Sequence, residues 1–245
     1  MKLSTGAKTD IGRKRSQNQD SMSTHPELGL FVVADGMGGH QGGETASAMS
    51  VTVIPEAFKS LKEKNWDNCS AIKKSIEEAN LAIHQKSTEE PKLTGMGTTT
   101  VSLLIDGSTA FVGHVGDSRC YFMREGQLWQ LTRDHSLVQE KLKAGIITRS
   151  QLRTDKMKNV ITRSVGFEPG VEIDVYELQT LPGDLFLLCS DGLSGPLNDE
   201  HIFKTLTDSA NNNKTIQETA DLLISEANRM GGDDNITAVL VKVES

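Results

Sequence analysis

The sequence predicts an α+β fold built in layers on antiparallel sheets. Three observations predict it. Short runs rich in Val, Ile, Leu, Phe and Thr recur along the chain, and Gly or Asp residues often bound them. Several of these runs follow one another closely enough to be hairpins. Helical patterns gather early and late, unlike the regular βαβ order of a doubly wound sheet.

The β-type runs are Leu3–Lys8, Gly29–Ala34, Thr98–Ile105, Thr109–Gly116, Arg119–Arg124, Gln127–Leu131, Ile173–Gln179, Asp184–Cys189 and Ile236–Val243. Asp106-Gly107 separates two of them and suits a tight hairpin, and Glu125-Gly126 turns another. From Glu44 to Glu63, apolar residues fall near helical spacing at Ala46, Met49, Val53, Ala57 and Leu61. Cys69–Lys86 repeats the pattern at Ile72, Ile76, Ala79 and Ile83, and Thr215–Met230 at Ile216, Ala220, Leu223, Ile224 and Ala227. The stretch His135–Gly166 is polar, mixed and helical only in pieces. It reads equally as a mobile flap or as an ordinary surface connection.

At 245 residues, 36% hydrophobic and 24% charged, the chain can bury a sizeable core. No internal repeat, low-complexity tract or linker divides it, so residues 1–245 are expected to form a single domain. The net charge of −7, without a long basic cluster, argues against nucleic-acid binding, which relies on Lys and Arg to displace counterions. The three cysteines are odd in number and form no CxxC, so neither a disulfide framework nor a thiolate zinc site is indicated. Reduced thiols in a cytoplasmic protein are the expectation. Met1–Asp10 is polar, unlike a signal peptide. The most apolar runs, Leu30–Ala34 and Leu185–Cys189, are far too short to span a bilayer, so no membrane association is expected.

The aspartates carry the chemistry. Asp35 follows Leu30–Ala34, and Asp191 follows Leu185–Ser190; each is an Asp-Gly just beyond a buried strand. An aspartate there costs desolvation energy unless something pairs with it. The glycine lets backbone approach closely and frees its carbonyl to face a ligand. Further candidates are Asp233 or Asp234 before the last strand, Asp117 in Gly116-Asp117-Ser118-Arg119, and Asp20 in Asn18-Gln19-Asp20. Carboxylates converging from several strand ends make an all-oxygen set, which selects Mg²⁺ or Mn²⁺ over zinc. The six histidines form no HExxH, and no EF-hand loop is present. The glycine-rich Gly36–Gly43 matches neither a P-loop nor GxGxxG, so nucleotide cradling is not supported. It reads as a tight loop before a helix from Glu44, bringing His40 near Asp35.

Together these motifs resemble the type 2C, or PPM, family of metal-dependent protein phosphatases. The matching pieces run in order: Thr9–Asp20, Val33–His40, Met96–Thr99, His114–Arg119, Thr132–Ser136, Ser190–Gly192 and Gly232–Asn235. The length resembles a compact bacterial member with only the catalytic domain. The resemblance implies a central β-sandwich of two antiparallel sheets flanked by α-helices on both sides (α-β-β-α). It implies that Asp35 bridges two Mn²⁺ or Mg²⁺ ions, that Gly36 ligates one through its carbonyl, and that Asp191 and Asp234 complete the other. Asp20 would hold metal-bound water in the outer shell, and Asp117, with Asp191, would form a weaker third-metal site. Arg15 would grip the substrate phosphate, a task its planar guanidinium suits. His40 would be the general acid.

The implied reaction is hydrolysis of phosphoserine and phosphothreonine in proteins. Water shared by two cations attacks phosphorus in line as hydroxide, and no phosphoenzyme forms. The implied partners are phosphorylated proteins, the targets of a cognate serine/threonine kinase in signalling, and the protein is expected to be a monomer. Two details depart from the family or need a choice. Asn18-Gln19-Asp20 stands where many relatives have Asn-Glu-Asp. Asp233 lies beside Asp234, and the residue directly before Asn235 is the expected ligand. A flap at about 135–166 varies most among relatives. Its Arg149, Arg153 and Arg163 either shape substrate choice or are solvated surface charges.

Overall fold

In the computed structural model, residues 2–244 are described, and for residues 39–41 the backbone alone. β3 (Leu30–Met37) shows how its sequence sorts the layers. Successive strand side chains point to opposite faces. Leu30 and Val32 pack toward helices, whereas Phe31 and Val33 pack into the interior between two sheets. Both faces are apolar, so the strand is a continuous buried run.

One antiparallel sheet is ordered β2 (Asp20–His25), β3, β5 (Thr100–Asp106), β6 (Thr109–Val115) and β9 (Asp174–Gln179), with the short β4 (Gly97–Thr98) also on β3. The other is ordered β1 (Leu3–Asp10), β11 (Ile236–Val243), β10 (Leu185–Cys189), β7 (Arg119–Arg124) and β8 (Gln127–Gln130). Val101, Leu103 and Val112 of the first sheet meet Phe122, Phe186, Leu188, Val239 and Val241 of the second. Outside the first sheet lie α1 (Gly39–Glu63) and α2 (Asn68–Glu89), packed through Ile54, Phe58, Ile72, Ile76 and Ile83. Outside the second lie α5 (Asp199–Asn211) and α6 (Ile216–Arg229), packed through Ile202, Leu206, Leu223 and Ile224. The order is α-β-β-α, the expected sandwich.

Two hairpins form near the expected turns. Asp106 pairs with Thr109, so the central residues are Gly107-Ser108, one position later than the sequence reading. Gly107 takes a positive φ of 57°, which a first turn position of this kind needs. Arg124 pairs with Gln127, and Glu125 and Gly126 both have positive φ (49° and 72°), the signature of a type I′ turn.

Three local expectations change. α1 starts at Gly39, five residues before Glu44, so most of the glycine-rich stretch is helix rather than loop. β2 was not expected. α5 was not singled out either, because Thr205 and Ser209 dilute its buried face. The stretch from 135 to 166 contains a short helix, α3 (Leu137–Lys143), and is tied down by bridges Ser136↔Ile161 and Thr98↔Val165.

Candidate metal centre

The layer between the sheets is apolar through most of its depth and turns acidic at one end. The change follows strand parity. Phe31 and Val33 of β3 point inward, and Asp35 is the next residue on that face. In the register of β2 and β3, Asp20 lies directly opposite Asp35, so both carboxylates share that face. Like charges placed so are destabilising. Across the layer, Leu188 is followed on the inward face by Ser190, and Val239 is preceded by Thr237. Asp191 and Asp234 flank these two residues where β10 and β11 pair at the same sheet end.

Asp20 is buried and held on one side only. Ser190 Oγ and Thr237 Oγ1 each donate to its Oδ2 at 2.7 Å. Among the described residues its Oδ1 is buried without a hydrogen-bond partner. Burial raises Asp20 to about 7, with Asp191 and Asp234 adding to the rise and the two hydroxyls opposing it. Asp35 is held well above the carboxylate range, first by burial, then by Asp20, Asp191, Asp117 and Asp234. Asp191 is also raised, by burial and then by Asp234, against a hydrogen bond with Asp35 and the charges of Arg15 and Arg119. Burial lifts Asp117 to about 8, with Asp191 and Asp134 adding and Arg119 opposing.

The backbone around these groups is clamped. Thr99 N donates to Asp35 O at 2.8 Å, Thr98 Oγ1 to the same carbonyl at 2.9 Å, and Asp35 N to Thr99 Oγ1 at 3.0 Å. A Cβ at Gly36 would sit 1.9 Å from Gly43 O, and one at Gly192 1.9 Å from Asn235 O. Both Asp-Gly pairs therefore have glycine for close backbone approach. Asn235 spends its amide on the loop before β2: its Nδ2 donates to Ile11 O and Gln17 O, and its Oδ1 accepts from Gln19 N. That loop carries Arg15, whose Nη2 meets Asp234 Oδ2 at 2.8 Å. The neighbouring Asp233 is exposed and pairs with Lys14 at 2.6 Å instead.

The structure thus brings Asp20, Asp35, Asp117, Asp191, Asp234 and Arg15 to one end of the sandwich. Gly36 lies beside them in β3. His40 stands in the first turn of α1, and its side chain lies outside the described residues. Four aspartates that burial and mutual repulsion push toward protonation need a strong local positive charge to stay ionised. Every donor is oxygen, which fits a hard divalent cation. Among the described residues, no group of three or more His, Cys, Asp or Glu side chains is already gathered as a metal-ligand set.

Sequence reasoning missed the supports: Ser190 and Thr237 under Asp20, Asn235 under Arg15, and the Asp134 carboxylate. Asp134 takes a forked pair from Arg119, Nε at 2.9 Å and Nη2 at 2.7 Å. The readable signal was polar residues continuing the parity of apolar strands. Of the three flap arginines, Arg163 is bound by Glu172 (2.7 Å) and Asp174 (3.0 Å). Arg153 reaches the carbonyls of Ser194 and Gly195 at the end of α4 (Asp191–Ser194), and Arg149 is exposed.

Comparison with known proteins agrees along nearly the whole chain. The family model for protein phosphatase 2C matches residues 11–223. A serine/threonine phosphatase, stp, of Listeria monocytogenes is 36% identical over 96% of this chain and 94% of its own length. The crystal structure of the Mycobacterium tuberculosis serine/threonine phosphatase PstP/Ppp superposes with a TM-score of 0.91 at 34% identity, covering 99% of each chain. A structure of the PstP catalytic domain in complex with two manganese ions superposes with a TM-score of 0.87 at 34% identity, again covering 99% of each chain.

Proposed function

The chain belongs to the protein phosphatase 2C family and is a metal-dependent serine/threonine protein phosphatase, and we propose that Asp35, the Gly36 carbonyl, Asp191 and Asp234 hold its two divalent cations. The observation that supports this assignment is the facing pair Asp20 and Asp35, completed from the other sheet by Asp191 and Asp234. The cations would be Mn²⁺ or Mg²⁺, and Asp117 with Asp191 would hold a third, weaker one. When bound, the cations supply Lewis acidity that lowers the pKa of water and neutralises phosphate charge.

The chain's own residues do the rest. Asp20 accepts a hydrogen bond from water through its free Oδ1, while Ser190 and Thr237 fix its Oδ2. Arg15 turns its guanidinium from Asp234 to two oxygens of the substrate phosphate. His40 donates a proton to the departing serine or threonine oxygen. Neither Cys120 nor Cys189 suits a nucleophile: burial pushes the Cys120 thiol far up and Cys189 up to about 12.

Residues 1–245 act as one catalytic domain, with 135–166 as its flap. The protein works as a monomer in cytoplasmic signalling, reversing a serine/threonine kinase. The free thiols of Cys120 and Cys189, on adjacent strands, suit a reducing compartment. Among the described residues no helix is long and apolar enough to cross a membrane.

The test is phosphate release from a phosphothreonine peptide, a phosphotyrosine peptide and a small aryl phosphate, with Mn²⁺ and with chelator. Turnover of the phosphothreonine peptide that needs Mn²⁺ is expected. Turnover that survives in chelator would sink the metal assignment.

A further inference from the structure

A cavity of about 410 Å³ opens between Met37 at the end of β3, the last residues of the flap and the segment that follows it. Met37 forms one wall. It stands two residues past Asp35 on the same strand, a rise of about 7 Å. Ile161, Phe167 and Val171 supply the other apolar surface. Phe167 is 57% exposed although nothing polar on its ring needs water. Exposed aromatic surface rimmed by charge marks recognition sites.

The rim is acidic. Glu168 and Glu172 both line the cavity. Among the described lining residues the one cation, Arg163, is already matched by Glu172 and by Asp174. Among the described residues, Glu168 therefore adds negative charge that no side chain pairs with. Two clear features result: an apolar floor that begins two residues past Asp35, and an acidic edge.

We infer that this groove takes the polypeptide next to the phosphorylated residue, and that it selects substrates carrying a large apolar side chain and a Lys or Arg near the phosphoserine or phosphothreonine. The inference rests on the phosphatase reading and names the substrate class of that same site. An apolar side chain fills the space against Phe167 and Met37, and the basic residue meets Glu168. Peptides with acidic flanks are disfavoured by like charge at the rim.

The experiment compares kcat/KM for three substrates in Mn²⁺. The first is a phosphothreonine peptide flanked by Leu and Lys, the second is its counterpart flanked by Ala and Glu, and the third is a small aryl phosphate too short to reach the groove. The variants are Phe167→Ala and Glu168→Lys, both at exposed positions outside the metal centre. The wild type is expected to prefer the Leu/Lys peptide by roughly tenfold, in line with what pocket contacts and charge contribute to selectivity. Phe167→Ala reduces that preference, and Glu168→Lys erases or inverts it, more so at low salt. Neither changes turnover of the aryl phosphate. Equal preference in wild type and both variants overturns the groove while leaving the phosphatase intact. No turnover of the aryl phosphate by the wild type overturns both. A shift of oligomeric state in the variants, with peptide kinetics unchanged, makes the groove a contact between copies of this chain and also overturns the inference.

Discussion

Strand β10 carries a buried aspartate before it and a half-buried one after it, and the two are treated oppositely. Asp184, just before the strand, is 1% exposed and fully answered. Arg124 forks onto it with Nε at 2.8 Å and Nη2 at 2.6 Å, and Leu181 N donates to it at 2.7 Å. Asp191, just after the strand, meets Asp35 and Asp234 instead, and burial raises it. At one end the protein supplies its own cation. At the other it gathers carboxylates and leaves most of the positive charge to come from outside. A buried acid with a forked arginine holds the fold together, whereas a buried acid facing other acids is set aside for a ligand.

The sharpest way to break the contrast is Asp35→Asn. Removing the proposed bridging carboxylate should lower Mn²⁺-dependent phosphate release by about a thousandfold or more. In chelator the same variant should be more stable than wild type by about 1–2 kcal/mol, because a desolvated, repelled carboxylate is gone. Denaturant unfolding in chelator checks the sign, and a variant that is less stable there breaks the contrast. Next in size is the metal itself. With Mn²⁺ at a hundred times its dissociation constant, linkage adds about 2.7 kcal/mol of stability. That should raise Tm by roughly 5–10 °C in wild type and much less in Asp35→Asn. Equal shifts would place the ions elsewhere. At the other end of β10, Asp184→Ala should cost about 2 kcal/mol of stability by stranding Arg124 and the Leu181 N–H. Aryl phosphate turnover should stay unchanged wherever the variant is folded, and a fall in kcat there would deny that this end is purely structural.

The apolar strands β3, β10 and β11 were legible because each buries both faces and so reads as an unbroken run. The edge strand β2 was not: Asp-Ser-Met-Ser-Thr-His has one hydrophobic residue in six positions. Its pairing with β3 fixes it, and that information lies in the partner strand. The start of α1 was hidden for a related reason. Gly39, Gly42 and Gly43 are poor helix formers, and a Cβ at Gly43 would meet Gly36 O at 2.7 Å. Close packing against β3, rather than local propensity, sets the helix there. At the site, strand-end position alone suggested acidic candidates, and the family motifs assigned their roles. Ser190, Thr237 and Asn235 were illegible as supports, since their worth depends on hydrogen bonds across some 47 to 217 residues of sequence.

Arg15 gives the smallest and most discriminating prediction, because among the described residues it is the one basic side chain in direct contact with the proposed ligands. It is half exposed and bonds Asp234 by a single nitrogen at 2.8 Å, unlike the forked Arg124. A one-point pair at the surface contributes little to stability, so Arg15→Ala should leave Tm in chelator nearly unchanged. If the guanidinium is held ready for phosphate, the same variant should raise KM for a phosphothreonine peptide by about tenfold, with a smaller change in the Mn²⁺ concentration needed for half-maximal rate. Arg15→Lys should recover only part of the loss, since an ammonium cannot bond two phosphate oxygens in the fixed geometry of a guanidinium. A KM that does not move, together with a weaker response to Mn²⁺, would reassign Arg15 to Asp234 as a structural partner. The two ends of β10 would then differ less than their carboxylates suggest.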